Sequence, residues 1–503
     1  VADLLPDQLR LMAEHHPDQV AFINVATDEH LTFAEWETQS NQLARWLVAA
    51  GVAKGDRVAI HLPPEEPERF VVAYAAVHKA GAVAVPASTR LVARELTYVL
   101  GHAGAAVAIT GTSTLPRLVE ARAELPQLRM VITSGAADGP GLVAWDAPRD
   151  SDGSTFQVPV SGGDIADVMY TSGTTGRPKG VVVRHGNIAL IPNGLPRWGG
   201  GGWLHASPMF TFAGIASVYN PMKLGMALLY LPRFDVDAWF DHVERYRPSA
   251  TFLVPAMAEL LIASPRFATA DLSSITLCPL GSAPLAPATF DTLRQRLPQA
   301  MVSNSWGMTE AGPAFCIMPP DEVDKRVGSV GMPVPPVEFR IVDPEGNTLP
   351  PRTVGELLVR NPGREREYFN DPETTARTWQ DGWLHTGDLA ELDEDGFLYL
   401  RGRGKDVIIR GGNNVHATDV ESVLYEHPAV REAAVAAVPH PVLGEDVGAW
   451  VVVVEGAEVT GDELGAFCAE RLSDYKVPRS WTFVDELPRN PTGKVVKRDL
   501  PGR

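Results

Sequence analysis

Apolar positions in residues 1–160 alternate between two spacings. In residues 40–50 (SNQLARWLVAA) and again in 70–80 they recur three and four apart, as on one face of a helix. Residues 56–62 follow a Lys-Gly turn and form a short, mostly apolar run, as do 82–86, 105–110 and 130–133. Runs of that length between turn residues predict buried strands. Strand–helix–strand alternation predicts parallel sheets covered by helices. No internal repeat or low-complexity tract interrupts the pattern. Four consecutive glycines, Gly199 to Gly202, fit either a mobile loop beside a pocket or a plain surface loop.

Near residue 400 the texture changes. Residues 396–400 predict a strand, and Arg401-Gly402-Arg403-Gly404-Lys405-Asp406 forms a charged, glycine-interrupted joint. A helix (418–426), two strands (430–438 and 448–455) and another helix (461–472) are predicted beyond it, a compact α+β unit of about 100 residues. The expected fold class is therefore α/β. A large N-terminal domain (1–402) holds parallel-rich sheets flanked by helices, and a small α+β C-terminal domain (403–503) follows.

Composition narrows the function. The chain has 503 residues, enough for more than one domain at roughly 100–200 residues each. Lys plus Arg number 44 and Asp plus Glu 62, a net charge of −18, which weighs against a general nucleic-acid binder. Any anionic substrate needs its own local positive charge. Cys278, Cys316 and Cys468 are far apart, with no metal-binding spacing, and are expected to be reduced core thiols, as in the cytoplasm. Residues 1–20 lack a basic start leading into an apolar stretch, so no signal peptide is expected; no apolar run is long enough for a transmembrane segment.

The candidate chemistry starts after the apolar run 165–169, at Tyr170-Thr171-Ser172-Gly173-Thr174-Thr175-Gly176-Arg177-Pro178-Lys179-Gly180. Glycines accept positive φ and let backbone N–H groups converge on an anion. The hydroxyls add donors, and Lys179 adds a point charge suited to phosphate oxygens. The loop is not a Walker motif, since Lys179 is followed by Gly180 and the glycine spacing differs. No strand-linked GxGxxG with a downstream acidic partner suggests a dinucleotide oxidoreductase.

This loop resembles the phosphate-loop signature of the acyl-adenylate-forming (AMP-binding) enzymes, and the chain is closest in texture to bacterial acyl-CoA synthetases. The resemblance continues in order along nearly the whole chain. Gly281-Ser282-Ala283-Pro284-Leu285 resembles the family's adenine-side loop. Asn304-Ser305-Trp306-Gly307-Met308-Thr309-Glu310 resembles the aromatic-Gly-x-Thr-Glu motif, with Trp where Tyr is usual. The resemblance implies that Trp306 flanks the adenine, Thr309 meets the α-phosphate and Glu310 binds Mg²⁺, an oxygen-liking cation. Trp383-Leu384-His385-Thr386-Gly387-Asp388 resembles the ribose motif; Asp388 then accepts ribose hydroxyls and Arg403 is its partner at the joint. Lys405 matches the hinge position, and Gly411-Gly412 either line a channel for the pantetheine arm or form a plain turn. Leu487-Pro488-Arg489-Asn490-Pro491-Thr492-Gly493-Lys494 resembles the loop that carries the catalytic lysine, matched by Lys494.

The resemblance implies a two-step reaction: a carboxylic acid attacks the α-phosphorus of ATP to give acyl-AMP and pyrophosphate, then the acyl group passes to a thiol. Preorganised cations and N–H donors lower the first barrier; here Lys494, Lys179, Thr309 and the Mg²⁺ held by Glu310 are the candidates. The small domain is expected to swing about the hinge between the steps. Residues 204–214, with His205, Met209, Phe210 and Thr211, align with the wall of the acyl pocket. The family often has His where this chain has Thr211. Amino-acid-activating members often carry an Asp near here, whereas this chain has Ala213 and no acidic residue before Asp235, which weighs against an α-amino acid. Met209, Phe210, Phe212 and Met257 fit an apolar acyl or aryl group, or simply core. Coenzyme A is the leading thiol; the alternative is the phosphopantetheine arm of a separate carrier protein.

Overall fold

The computed structural model describes residues 4–150, 152–171, 178–188, 191–283, 285–312, 316–319, 321–410, 413–440, 443–472, 474–490 and 493–503. Its first large sheet has eight strands, in the order Glu367–Tyr368, Lys179–Arg184, Ile165–Thr171, Val83–Pro86, Arg57–His61, Ala105–Thr110, Met130–Thr133 and Leu142–Ala144. From Ile165–Thr171 onward every pairing is parallel; the first two pairings are antiparallel. Both faces of the middle strands are covered, so they read as unbroken apolar runs: Val58, Ala59 and Ile60 are fully buried.

A second sheet of seven strands, Met301–Ser305, Leu277–Gly281, Ala250–Thr251, Gly201–His205, Met226–Tyr230, Val20–Asn24 and His30–Thr32, is parallel except for its last hairpin. Helices Phe33–Ala49, Pro67–Lys79 and Phe212–Lys223 join the two sheets through one core, where Phe22 and Leu228 of one sheet share neighbours with Val58 and Ile60 of the other. The first helix begins well before the predicted 40–50. Thr32 Oγ1 accepts from Glu35 N at 3.1 Å and Glu35 Oε2 from Thr32 N at 2.8 Å, a capping box that starts the helix at Phe33.

The periodicity does not foresee the third sheet, which is antiparallel: Glu338–Val342, Gly355–Arg360, Trp383–Leu392 and Trp379–Gln380, with Leu398–Arg403 also on Trp383–Leu392. Beyond it lies a five-stranded sheet of Asn413–His416, Val407–Arg410, Gly444–Val453, Val430–His440 and Ser480–Phe483, with helices Ala417–Tyr425 and Gly461–Ala469. Among the described residues, every hydrophobic cluster lies wholly before residue 401 or wholly after 407.

The glycine run is a partial correction. Gly201 and Gly202 open a strand rather than a loop, paired in parallel with Met226 and Ala227, and a Cβ on either would lie 2.4 Å from Ser249 Oγ or 2.5 Å from Leu229 Cδ1. Cys278 and Cys468 are buried, Cys316 is half-buried, and all three are free thiols. Among the described residues no helix is long and apolar enough to cross a membrane.

Candidate active site

Several loops leave the carboxyl ends of parallel strands, where open α/β sheets bind ligands. The first follows Ile165–Thr171. Ser172, Gly173, Thr174, Thr175 and Gly176 lie outside the described residues, but both ends of their loop are held: Thr171 pairs with Lys179 across the antiparallel register. Lys179 Nζ stands 5.0 Å from the ring centroid of Tyr368, which sits on the edge strand facing Val181.

Glu310 comes from the short turn Thr309–Ala311 after strand Met301–Ser305. Its Oε1 accepts from Thr171 Oγ1 at 3.4 Å and from the Tyr368 hydroxyl at 3.3 Å. Burial, with the Glu310 charge second, raises the Tyr368 phenol above its usual range, so it stays a neutral donor. No described cation pairs with Glu310 within ion-pair distance, and no cluster of three metal-ligating side chains exists among the described residues. One carboxylate flanked by hydroxyls fits Mg²⁺, which is held by one or two carboxylates with water and substrate phosphates completing its shell.

The adenine-side candidates are brought together by sheet register. Gly281 pairs with Ser305 on the neighbouring parallel strand, and a Cβ on Gly281 would lie 2.8 Å from Ser305 O. Ser282 follows with φ +74°, turning the chain toward Ala283. Trp306 packs edge-on against Phe339 at 6.1 Å, followed by exposed Gly307 and half-buried Met308. Asp388 lies across the register from Arg403, just after Gly387 at φ +69°. Its Oδ2 accepts from Trp306 Nε1 at 3.0 Å and its Oδ1 meets Arg403 Nε at 2.8 Å. Both oxygens of a nearly buried carboxylate are thus oriented, with lone pairs left over. The Trp306 indole therefore offers a donor to Asp388 as well as a flat face.

Lys494 arrives from the C-terminal unit on a tight turn. Asn490 closes it, with Oδ1 accepting from Lys494 N at 2.9 Å and its own N donating to Lys494 O at 2.8 Å; Gly493 has φ +86°. Arg489 donates to Gly493 O at 2.7 Å and to Glu432, fastening the turn to strand Val430–His440. The Lys494 residue reaches solvent, yet protein crowds its ammonium. Burial lowers its pKa below the usual lysine value and the like charge of Arg403 adds to this, while Asp388 and Glu310 oppose both. Lys494 therefore lies near enough to Arg403, Asp388 and Glu310 to feel their charges. Lys405 lies in the turn Gly404–Asp406 directly after Arg403. Gly411 and Gly412 lie outside the described residues.

On the acyl side, His205 ends strand Gly201–His205, with its ring 5.6 Å from Phe252 and neither ring nitrogen hydrogen-bonded among the described residues. Burial pushes its pKa down to about 3, so it is neutral. Met209 is buried in the shared core and Phe210 is half-buried. Thr211 is the N-cap of Phe212–Lys223: Oγ1 accepts from Gly214 N at 3.0 Å and donates to Pro208 O at 2.8 Å. Its proton is spent on local backbone, so this wall lacks the ring donor a His would offer. Phe212 lies 5.3 Å from the Arg366 guanidinium carbon, and Arg366 also donates to Thr309 O; this contact brings the acyl candidates to the phosphate side. Tyr368, Arg366 and Phe339 carry no signal in the sequence: a single Tyr, Arg or Phe in a loop or strand does not announce its distant neighbour.

The sequence profile of the AMP-binding enzyme family matches residues 9–369, and that of the AMP-binding enzyme C-terminal domain matches 419–494. Feruloyl-CoA synthase from Amycolatopsis sp is 37% identical over 483 residues, 94% of each chain. A fatty acid–[acyl-carrier-protein] ligase, ScoC, from Streptomyces coeruleorubidus is 31% identical over 503 residues, 98% of this chain and 94% of that one. The crystal structure of the anthranilate CoA ligase AuaEII in complex with anthranoyl-AMP superposes with a TM-score of 0.87 at 26% identity, covering 97% of this chain and 95% of that one. The chain belongs to the AMP-binding enzyme family. Its activity is that of an AMP-forming acyl-CoA synthetase: ATP and Mg²⁺ activate a carboxylic acid to acyl-AMP with release of pyrophosphate, and the acyl group passes to coenzyme A.

Proposed function

We propose that adenylation takes place between Lys494, Glu310 and the Asp388–Arg403 pair, and that the acid is apolar, aryl or fatty. The Asp388–Arg403 ion pair at 2.8 Å, with Lys494 near enough to feel the charges of Arg403, Asp388 and Glu310, carries the reading. Lys494 holds the substrate carboxylate against the α-phosphate, cancelling the repulsion between two anions and fixing the line of attack. Thr309 donates to the α-phosphate. Lys179 and the 171–176 loop take the β- and γ-phosphates. Gly281, Ser282, Ala283, Trp306, Gly307 and Met308 form the adenine slot, and Asp388 with Arg403 holds the ribose. Mg²⁺ on Glu310 supplies charge neutralisation of the phosphate oxygens.

The domains divide at 402/403, as the separate cores on either side of that point support. After pyrophosphate leaves, rotation at Lys405 withdraws Lys494 and brings Gly411-Gly412 to the acyl carbonyl as a path for the pantetheine arm. The acid is apolar because Met209, Phe210 and Phe212 supply the wall with His205 neutral behind it, and no carboxylate stands at Ala213 to hold an ammonium. The similarity to feruloyl-CoA synthase favours an aryl acid. The similarity to ScoC keeps a carrier-protein phosphopantetheine as the second acceptor. The enzyme acts in the cytoplasm, where ATP and CoA are supplied.

The test is a panel of aryl, fatty and polycyclic acids with ATP and Mg²⁺, with and without CoA, read by pyrophosphate release and product mass. An aryl- or fatty-acyl-CoA that needs all components supports the reading. Turnover confined to amino acids would overturn the pocket assignment. Acyl-AMP that CoA leaves unconsumed would move the acceptor to a carrier protein.

A further inference from the structure

Arg366 is among the most buried charged groups in the protein, with 4% of its surface exposed. Among the described residues no carboxylate lies within ion-pair distance of it and its buried Nε has no hydrogen-bond partner. Its remaining contacts are backbone and ring: one terminal nitrogen donates to Thr309 O, the other to Asn187 O at 2.8 Å, and its carbon lies 5.3 Å from the Phe212 centroid. Burial lowers its pKa to about 10, against the pull of Asp167, Glu310 and Tyr74, so it is charged at neutral pH. Asp167 is committed elsewhere, accepting from the Tyr74 hydroxyl at 2.8 Å and bonded to His78 Nε2 at 2.9 Å. Gly312, at φ +67°, brings its backbone close: a Cβ there would lie 3.2 Å from Arg366 Nε.

Burying a guanidinium without a counter-ion is costly, and a neutral side chain of similar volume would pack there at less cost. What the charge does must therefore be read from where it lies. Its fork spans two carbonyls on different segments, a geometry that the single ammonium of Lys cannot reproduce. One carbonyl belongs to Thr309, adjacent to Glu310. The other belongs to Asn187, whose Nδ2 donates back to Glu365 O at 2.9 Å, next to Arg366 itself.

We propose that Arg366 is a positioning residue for adenylation: it locks the Thr309–Glu310 turn to the segment after Lys179–Arg184 and sets a fixed positive charge behind the triphosphate-facing side. Such a charge is preorganised for the negative charge that builds on phosphoryl oxygens in the first step and has no comparable duty in the second. This rests on the assignment of Thr309 and Glu310 to the phosphate and metal side.

The experiment uses the full chain with Arg366→Met, Arg366→Lys and, as a reference, Glu310→Gln. Three readouts are taken: ATP–pyrophosphate exchange with the best acid of the panel, thioester formation from the supplied acyl-AMP and CoA, and AMP binding by calorimetry. R366M is expected to lose about 100-fold in exchange kcat, with AMP affinity and thioester formation within about threefold of the parent. R366K is expected to lose about tenfold in exchange and so to rescue in part, because it keeps the charge but serves one carbonyl. Parental exchange in R366K or R366M, or equal loss of both half-reactions, would overturn the inference. If R366M does not fold, R366K alone decides by the same criterion. Parental exchange in E310Q would instead overturn the assignment of the turn, whereas an inactive E310Q beside a parental R366K overturns only the role of Arg366.

Discussion

Replacing Lys494 by Ala removes the ammonium that the C-terminal unit brings near Glu310, Asp388 and Arg403. A unit charge about 4 Å from a developing phosphoryl charge is worth about 4 kcal/mol at an effective dielectric near 20. Measured removals of one preorganised donor from an active site cost about 2.7–4 kcal/mol, about 10²–10³ in rate. Adenylation by K494A, followed as ATP–pyrophosphate exchange, is expected to fall by that factor. Thioester formation from supplied acyl-AMP is expected to stay within about threefold, since the lysine has left the acyl carbonyl by then. Stability has the opposite sign to activity. The folded pKa lies below the usual lysine value of 10.5, through burial and then Arg403, so the unfolded chain holds the proton more tightly. The linked stabilisation appears only as pH rises from the folded value toward 10.5 and is absent at neutral pH. The Tm of K494A at pH 7 is therefore expected to equal or exceed that of the parent. The alkaline limb of adenylation should fall below pH 10.5 and be missing from thioester formation. Equal loss in both half-reactions, or adenylation within tenfold of the parent, would refute the division of labour.

Trp306→Phe keeps an aromatic face but removes the 3.0 Å bond to Asp388, a bond to a charged group worth about 1.5–3 kcal/mol. Its kcat/KM for ATP should drop about ten- to a hundredfold in initial-rate assays, with KM for the acid little changed. Lys79 is buried and donates to Glu37 at 2.6 Å, Asn41 at 2.7 Å and Ser40 at 2.8 Å, so Lys79→Met should cost about 3–5 kcal/mol by equilibrium denaturation. The double change Glu37→Met with Lys79→Met should recover most of it, because no buried carboxylate is then left unpaired. Gly214→Ala puts a Cβ 2.0 Å from Pro208 O and must displace the start of helix Phe212–Lys223. It should cost about 1–3 kcal/mol in thermal or urea denaturation and raise KM for the acid more than for ATP.

The sequence by itself determined the local structure. The runs 105–110 and 130–133 are strands with those bounds, since a short apolar run covered on both faces reads the same in one dimension as in three. The glycine- and hydroxyl-rich loop and the strings around Glu310, Asp388 and Lys494 stand out in the sequence because each gathers glycine and polar residues into a few consecutive positions. Helix starts were less legible: the box at Thr32 and Glu35 opened a helix that apolar spacing alone places later. Only the tertiary structure decided what meets what. Sheet register set Asp388 opposite Arg403 and Gly281 beside Ser305, and packing brought Trp306 to Asp388 and Tyr368 to Glu310. It also put Arg366 behind Thr309 and used the Thr211 hydroxyl as a helix cap. Register, burial and long-range contact depend on segments far apart in the chain, whereas residue spacing reports only what one segment can do alone.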